Sequence, residues 1–166
     1  MTMAAGCAFH DGVVLMADSR ATWVSAGGEH HFDDRLQKIL HLSPKLAVGY
    51  AGNVALAGTT VQALRKAIAK NPRLEIPRRM AQELPRVARH FHKREAGARV
   101  PQASSVAFVL AGGDRSGKIS LWTFRSPEFR AKEIIDSFDV LGTGDVVKHY
   151  LGRTFASLRQ LPELKA

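Results

Sequence analysis

The chain has 166 residues, of which 45% are hydrophobic, and this length and composition fit one compact domain with a substantial core. It has no uninterrupted apolar run of about 18 residues, no basic leader followed by an apolar segment, and a single cysteine, Cys7, which together favour a cytoplasmic protein without a membrane span. Lysine and arginine outnumber aspartate and glutamate by 24 to 15, and the resulting charge of +9 allows binding to nucleic acid or acidic partners without requiring it.

The first half of the chain is patterned as strands followed by a helix. Small and apolar residues from 3 to 17, broken by a turn, predict two short strands. Residues 25–29 have turn chemistry, and apolar runs at 38–42 and 46–50 predict a second hairpin. From Asn53, a residue suited to helix capping, apolar positions recur at a spacing of about 3.6 residues and predict the first helix.

The second half of the chain is predicted to contain a helix, then strands, then a final helix. A second helix is predicted from Pro77, and Pro85 is expected to kink it. Further strands are predicted at 106–110, 119–124 and 138–141, and a final helix after Asp145. Strands, two helices, strands and a helix in this order favour layered α+β architecture over alternating βαβ units.

The N-terminus offers a candidate nucleophile. The small residue after the initiator favours removal of Met1, which would expose Thr2. An N-terminal threonine holds a hydroxyl and a primary amine on adjacent carbons, so the neutral amine can act as the base for the hydroxyl. Taken alone, a methionine-threonine start is far more often an ordinary N-terminus.

A resemblance to a known family favours the catalytic interpretation of Thr2. Residues 12–22, an apolar strand running into a charged and hydroxyl-rich turn, closely resemble the proteasome β-subunit family. In that family a similar strand ends in an aspartate followed by Ser-Arg-Ala-Thr, at the same distance from the catalytic threonine as Asp18 lies from Thr2. The resemblance therefore implies that Thr2 is the nucleophile, that Asp18 is catalytic, and that Ser19 and Arg20 support it.

A second resemblance begins at Lys38, which opens an apolar strand that turns and returns into an Ala-Gly segment, as in the same family. It implies that Lys38 is the catalytic lysine, whose ammonium would favour deprotonation of the Thr2 hydroxyl while Asp18 keeps it charged. It also implies that the Gly52 N–H stabilises the oxyanion of acyl transfer. Without the resemblance, Lys38 would be a solvated strand-end charge and Gly52 a turn glycine.

Two weaker matches complete the candidate site. The Gly-Thr-Gly at 142–144 resembles the family's Gly-Ser-Gly between a strand and a helix, which implies that the Thr143 hydroxyl supports the Thr2 amine. The positions that match the family's main specificity pocket are Ala21, Thr22, Tyr50 and Val54. They imply an apolar, partly narrowed pocket.

The resemblance spans residues 2 to about 144 and implies a four-layer αββα fold of two antiparallel sheets flanked by helices, the N-terminal nucleophile hydrolase fold, in one domain over 1–166. It implies a threonine endopeptidase that needs no cofactor or metal. Its substrates would be peptides or unfolded polypeptides, its assembly stacked hexameric or heptameric rings of identical subunits, and its partner could be an ATPase unfoldase.

Two departures from the family stand out. Residues 27–31 lengthen the segment between Thr22 and Lys38. The sequence also ends soon after the helix near Asp145, where the family continues with another helix, a further strand, and an aspartate and serine that support the nucleophile. Either the sequence is incomplete here or the site works without those residues.

Other chemical readings of the sequence are weaker. Residues 112–119 nearly match a phosphate-binding loop, but Ile119 replaces the required serine or threonine and continues as strand, so a hairpin turn is the better interpretation. The histidine pairs at 30–31 and at 90 and 92 lack the further ligands of a metal site.

Two alternative functions stay open. One is a non-catalytic scaffold subunit that keeps the fold and is never processed. The other is a nucleic-acid or polyanion binder that uses the basic segment from Arg73 to Arg99, which the sequence disfavours because the segment has no interleaved aromatic residue beyond Phe91 and no known docking motif.

Overall fold

A computed structural model describes residues 3–25, 27–96 and 105–142, together with residues 149 and 153, which are helical. The strands are β1 Met3–Ala8, β2 Val13–Ala17, β3 Ala21–Val24, β4 His30–Asp33, β5 Ile39–Ser43, β6 Leu46–Gly52, β7 Val106–Gly113, β8 Ile119–Arg125, β9 Lys132–Ile134 and β10 Phe138–Gly142. The helices are α1 Val54–Lys70 and α2 Pro77–Ala96, joined by the short 3-10 helix Pro72–Glu75.

Two antiparallel sheets pack face to face. One has the strand order β10-β1-β2 and the other β5-β6-β7-β8-β9, while β3 and β4 form a separate hairpin. Small residues on β1 let the sheets approach closely: a Cβ added at Gly6 would lie 2.8 Å from Val109 Cγ2. The interface between the sheets is a buried apolar cluster formed by Ala4, Ala8, Ala51, Val109, Ala111, Leu121, Ile134 and Leu141.

The two long helices cover the outer face of the five-stranded sheet. α1 begins where predicted, because the Asn53 side chain accepts a 2.9 Å hydrogen bond from Leu56 N. Leu64 and Leu84, one on each helix, are both fully buried in the core beneath them, and each such burial contributes about 1.5–3 kcal/mol. Helix α2 continues without a break on both sides of Pro85.

The α+β class with antiparallel sheets and flanking helices is confirmed. The N-terminal strand pair, the hairpin of β5 and β6, both helices and the strands corresponding to β7, β8 and β10 are also confirmed. The final helix predicted after Asp145 lies mostly outside the described residues. Neither α1 nor α2, the long helices of the described part, is apolar enough to cross a membrane.

Two features differ in detail from the sequence expectations. Ser25 and residues 27–29 lie at the tip of the β3–β4 hairpin, so the lengthened segment before Lys38 belongs to a two-stranded ribbon whose β4 residues are exposed. Strand β9 was not predicted, because it has three residues and only Ile134 among them is buried. The turn after β7 is closed by Asp114, which accepts from the backbone nitrogens of Ser116 and Lys118, as expected for a hairpin rather than a phosphate loop.

Candidate active site

A buried ammonium group lies at the centre of the candidate site. The Lys38 side chain is 0% exposed, and its Nζ donates hydrogen bonds to Asp18 Oδ1 at 2.7 Å and to the Arg20 carbonyl oxygen at 2.5 Å. A buried charge without such partners would be strongly destabilising. The Lys38 carbonyl accepts from Tyr50 N at 3.1 Å, so the start of β5 is also fixed to β6.

The carboxylate of Asp18 connects this lysine to the N-terminal strand. Its Oδ1 accepts from Met3 N at 2.8 Å as well as from Lys38 Nζ. In return, Asp18 N donates to the Met3 carbonyl at 3.2 Å. The residue that follows Thr2 in the chain is therefore held directly against the lysine-aspartate pair.

The segment after Asp18 is held by β4 and the residues that directly follow it. The Ser19 carbonyl accepts from Leu36 N at 3.0 Å. The Arg20 guanidinium pairs with Asp34, with Nε 2.6 Å from Oδ1, and its Cζ lies 5.5 Å from the centre of the Phe32 ring. The Asp34 hydrogen bond raises the pKa of Arg20, and the same bond lowers the pKa of Asp34. These contacts orient the Arg20 carbonyl toward Lys38.

Sequence reasoning did not find Asp34 and Phe32. Nothing in their spacing from Arg20 marks them, since the contact depends on the hairpin register that places Ala21 opposite Asp33 and Thr22 opposite Phe32. The only available signal was the turn chemistry of residues 25–29, which permits such a hairpin.

Gly52 occupies a position that accepts no other residue without strain. Its φ is +101°, and an added Cβ would lie 2.2 Å from the Ser105 carbonyl oxygen. It ends β6 and directly precedes Asn53, the cap of α1, so the positive end of the helix dipole lies close by. It follows Tyr50, the partner of Lys38, by two residues, a rise of about 6.6 Å along the strand.

The four residues matched to a specificity pocket are divided between surface and core. Thr22 is exposed and Val54 is 37% exposed, whereas Ala21 is buried at the start of β3. Tyr50 is 3% exposed and belongs to the core beneath the helices. Burial raises the pKa of its hydroxyl.

Thr2 and Thr143 lie outside the described residues. Their chain neighbours, however, are partners in the β1–β10 ladder, in which Met3 pairs with Gly142. Paired residues of an antiparallel ladder have Cα atoms about 4.5–5.5 Å apart. The structure thus brings together Asp18, Lys38, Met3 and Gly142 at one end of the three-stranded sheet.

A second buried polar network fixes β10. Asp139 is 3% exposed; its Oδ1 accepts from Arg125 Nη2 at 2.8 Å and its Oδ2 from Thr123 Oγ1 at 2.9 Å. Arg125 also donates to the Val140 carbonyl at 3.1 Å. Burial acts to raise the pKa of Asp139, but the bonds from Arg125 and Thr123 outweigh it and lower the pKa. Both donors lie on β8, so the network ties one sheet to the other.

The histidines and the basic segment have ordinary surroundings. His90 packs edge-on against Phe91, and His92 against Phe129. Within the described ranges no group of three or more His, Cys, Asp or Glu side chains could hold a metal ion. On α2, Arg86 pairs with Glu83 and Arg89 donates to the Glu128 carbonyl at 3.0 Å.

The chain is similar to known proteins in both sequence and fold. A family model described as "Proteasome subunit" matches residues 2–126. A search of curated proteins gave no match. Among solved structures, this chain is similar to the Anbu complex of Pseudomonas aeruginosa, described as a helical assembly, with a TM-score of 0.76 and 19% identity over 92% of this chain and 65% of that one.

Two further Anbu structures show the same fold. Anbu (ancestral beta-subunit) from Yersinia bercovieri gives a TM-score of 0.73, and Anbu from Hyphomicrobium sp. strain MC1 gives 0.68, each at 18% identity over 92% of this chain. The chain spans 65% of the length of each of these solved chains.

Proposed function

This chain belongs to the proteasome subunit family, and from that membership we propose that it is a threonine-type peptidase whose nucleophile is Thr2, exposed when Met1 is removed. The observation that carries the proposal is the shared oxygen of Asp18, which accepts from both the buried Lys38 ammonium and the Met3 amide. The Met3 nitrogen is bonded to the carbonyl carbon of Thr2, so the residue that carries the proposed nucleophile directly precedes the residue held by Asp18.

The proposed reaction has two halves. In the first, Thr2 Oγ bonds to the carbonyl carbon of the scissile peptide while its proton passes to the Thr2 amine. The tetrahedral intermediate then loses the peptide nitrogen, which takes that proton and leaves as an amine. In the second half, water adds to the resulting ester, the acid product departs and the Thr2 hydroxyl is restored.

Each supporting residue has a defined electrostatic task in this proposal. The Lys38 ammonium stabilises the developing negative charge on Thr2 Oγ and disfavours protonation of the nearby amine. Asp18 holds that ammonium in place, and Thr143 hydrogen-bonds the amine. The Gly52 N–H and the positive end of α1 stabilise the oxyanion, an interaction worth about 10²–10³ in rate for one donor.

The family also suggests the setting of the reaction. We propose a cytoplasmic homo-oligomer in which stacked rings of six or seven subunits enclose the sites, so that only peptides or unfolded chains reach them. The helical assembly described for the Pseudomonas aeruginosa relative supports self-association. An ATPase unfoldase would deliver folded substrates to such an enclosure.

Intact mass and peptide hydrolysis, measured together on purified protein, test the proposal. We expect the mass of the chain without Met1, cleavage of fluorogenic peptides, and loss of that cleavage in Thr2→Ala with assembly size unchanged. A retained Met1 and no cleavage would instead support the non-catalytic scaffold subunit, because a blocked amine removes the proposed base. Full activity in Thr2→Ala would refute the nucleophile.

A further inference from the structure

A cavity of about 570 Å³ opens at the end of the molecule opposite the candidate active site. It lies among the β5–β6 turn, the β7–β8 turn, the 3-10 helix and the first turn of α2. Strand β6 runs from Leu46, next to this cavity, to Gly52 at the candidate site. The length of that strand separates the two regions by about 20 Å.

Basic side chains outnumber acidic ones in the lining of this cavity. Four basic side chains line it, from Lys45, Arg73, Arg79 and Arg115, against the two carboxylates of Glu75 and Asp114. Within the described part of the chain, none of these four basic side chains has an ion-pair or hydrogen-bond partner.

One of the two carboxylates, that of Asp114, accepts hydrogen bonds within its own turn. Asp114 Oδ1 accepts from the hydroxyl of Ser116 at 2.6 Å, from its backbone nitrogen at 2.8 Å, and from Lys118 N at 3.1 Å. The Ser116 hydroxyl is the main reason that the pKa of Asp114 is lowered. Asp114 keeps its negative charge, so the four cations and two carboxylates give the lining a net charge of +2.

The elements that carry these cations are packed tightly together. A Cβ added at Gly112 would lie 2.7 Å from the Lys45 carbonyl oxygen and 3.1 Å from Pro77 Cγ. In addition, Gly113 N donates to the Lys45 carbonyl at 3.3 Å. The β5–β6 turn, the end of β7 and the start of α2 thus form fixed walls, which favours a pre-formed site.

We propose that this basic cavity binds a small ligand that carries two or more phosphate groups. Its volume lies within the range of about 300–1,000 Å³ that is typical of small-molecule sites. Guanidinium groups bind phosphate oxygens through paired, charge-assisted hydrogen bonds, and three arginines are available. Since the four cations and two carboxylates of the lining sum to +2, a singly charged anion would leave one positive charge uncompensated, whereas a ligand with two phosphate groups carries at least two negative charges.

Titration calorimetry with tripolyphosphate at constant ionic strength tests this proposal. Arg79→Gln and Arg115→Gln should each raise Kd at least about ten-fold, since each removes a charge-assisted pair. The matched control is Arg94→Gln, which removes the same charge from α2 about 22 Å away along the helix, and it should change Kd by less than about two-fold. Unfolding midpoints without ligand identify any variant that fails to fold, and the other variant then carries the test.

Three results would overturn the proposal. The first is the absence of saturable tripolyphosphate binding. The second is equal weakening by all three substitutions, which indicates non-specific attraction to a basic protein. The third is tighter binding of a short single-stranded oligonucleotide that is as sensitive to Arg94→Gln as to Arg79→Gln, which would assign the charge to a nucleic-acid surface along α2.

Discussion

The Met3 amide nitrogen lies 2.8 Å from Asp18 Oδ1, and this hydrogen bond ties the first described residue of the chain to a carboxylate 15 positions later. The same oxygen accepts from Lys38 Nζ. One carboxylate therefore sets both the register of the N-terminal strand and the position of a buried ammonium. The proposed catalytic mechanism depends on both of these hydrogen bonds.

Replacing Lys38 should abolish most activity. Lys38→Met keeps the length of the buried side chain and removes its charge, so we expect kcat/KM for peptides to fall at least about 100-fold. Lys66→Met, which removes an exposed lysine from α1, serves as the control and should leave kcat/KM within about two-fold. A Lys38→Met enzyme with more than half of wild-type activity would remove the lysine from the mechanism.

Gly52→Ala should destabilise the fold as well as impair the site. The positive φ and the 2.2 Å approach to the Ser105 carbonyl oxygen predict a cost of at least about 2 kcal/mol in the free energy of unfolding. Gly58→Ala is the matched control, because no atom lies within 4 Å of its added Cβ and alanine in a helix stabilises by about 0.5–1 kcal/mol. Urea unfolding of both variants measures the difference, and equal stabilities would contradict the described backbone.

Asp139 should contribute stability that depends on pH. The pKa of Asp139 is lower in the folded state than in the unfolded state. Its contribution to the free energy of unfolding is therefore fully present above the unfolded-state pKa, and it is lost as the pH falls through the folded-state pKa. We expect Asp139→Asn to lower the free energy of unfolding by about 2 kcal/mol at pH 7, and the difference from wild type to shrink below about pH 4. The exposed Asp11→Asn is the control; a difference that stays constant with pH would contradict this role.

The sequence predicted those features that depend on residues close together in the chain. Asn53 predicted the start of α1 because capping depends on residues three positions apart. The Asp18 and Lys38 assignments came from a family resemblance, and the structure pairs the two side chains. Thr2 and Thr143 stay predictions.

What the sequence left undetermined depends on packing between distant segments. Arg20 meets Asp34 only because a hairpin folds back, and Arg125 meets Asp139 only because two sheets stack. Tyr50, matched to a pocket by its position, contributes its ring to the core beneath the helices. None of these arrangements has a signature in residue spacing.

The most direct test of the central claim is to identify the atom that an electrophilic peptide ester acylates, by mass-spectrometric mapping of the trapped adduct. The account predicts one adduct per chain, on a Thr2 that has become the first residue, and no adduct in Lys38→Met over the same time. An adduct on any other residue, such as Cys7 or Ser19, or a chain that hydrolyses the ester while Met1 is still attached, would contradict it.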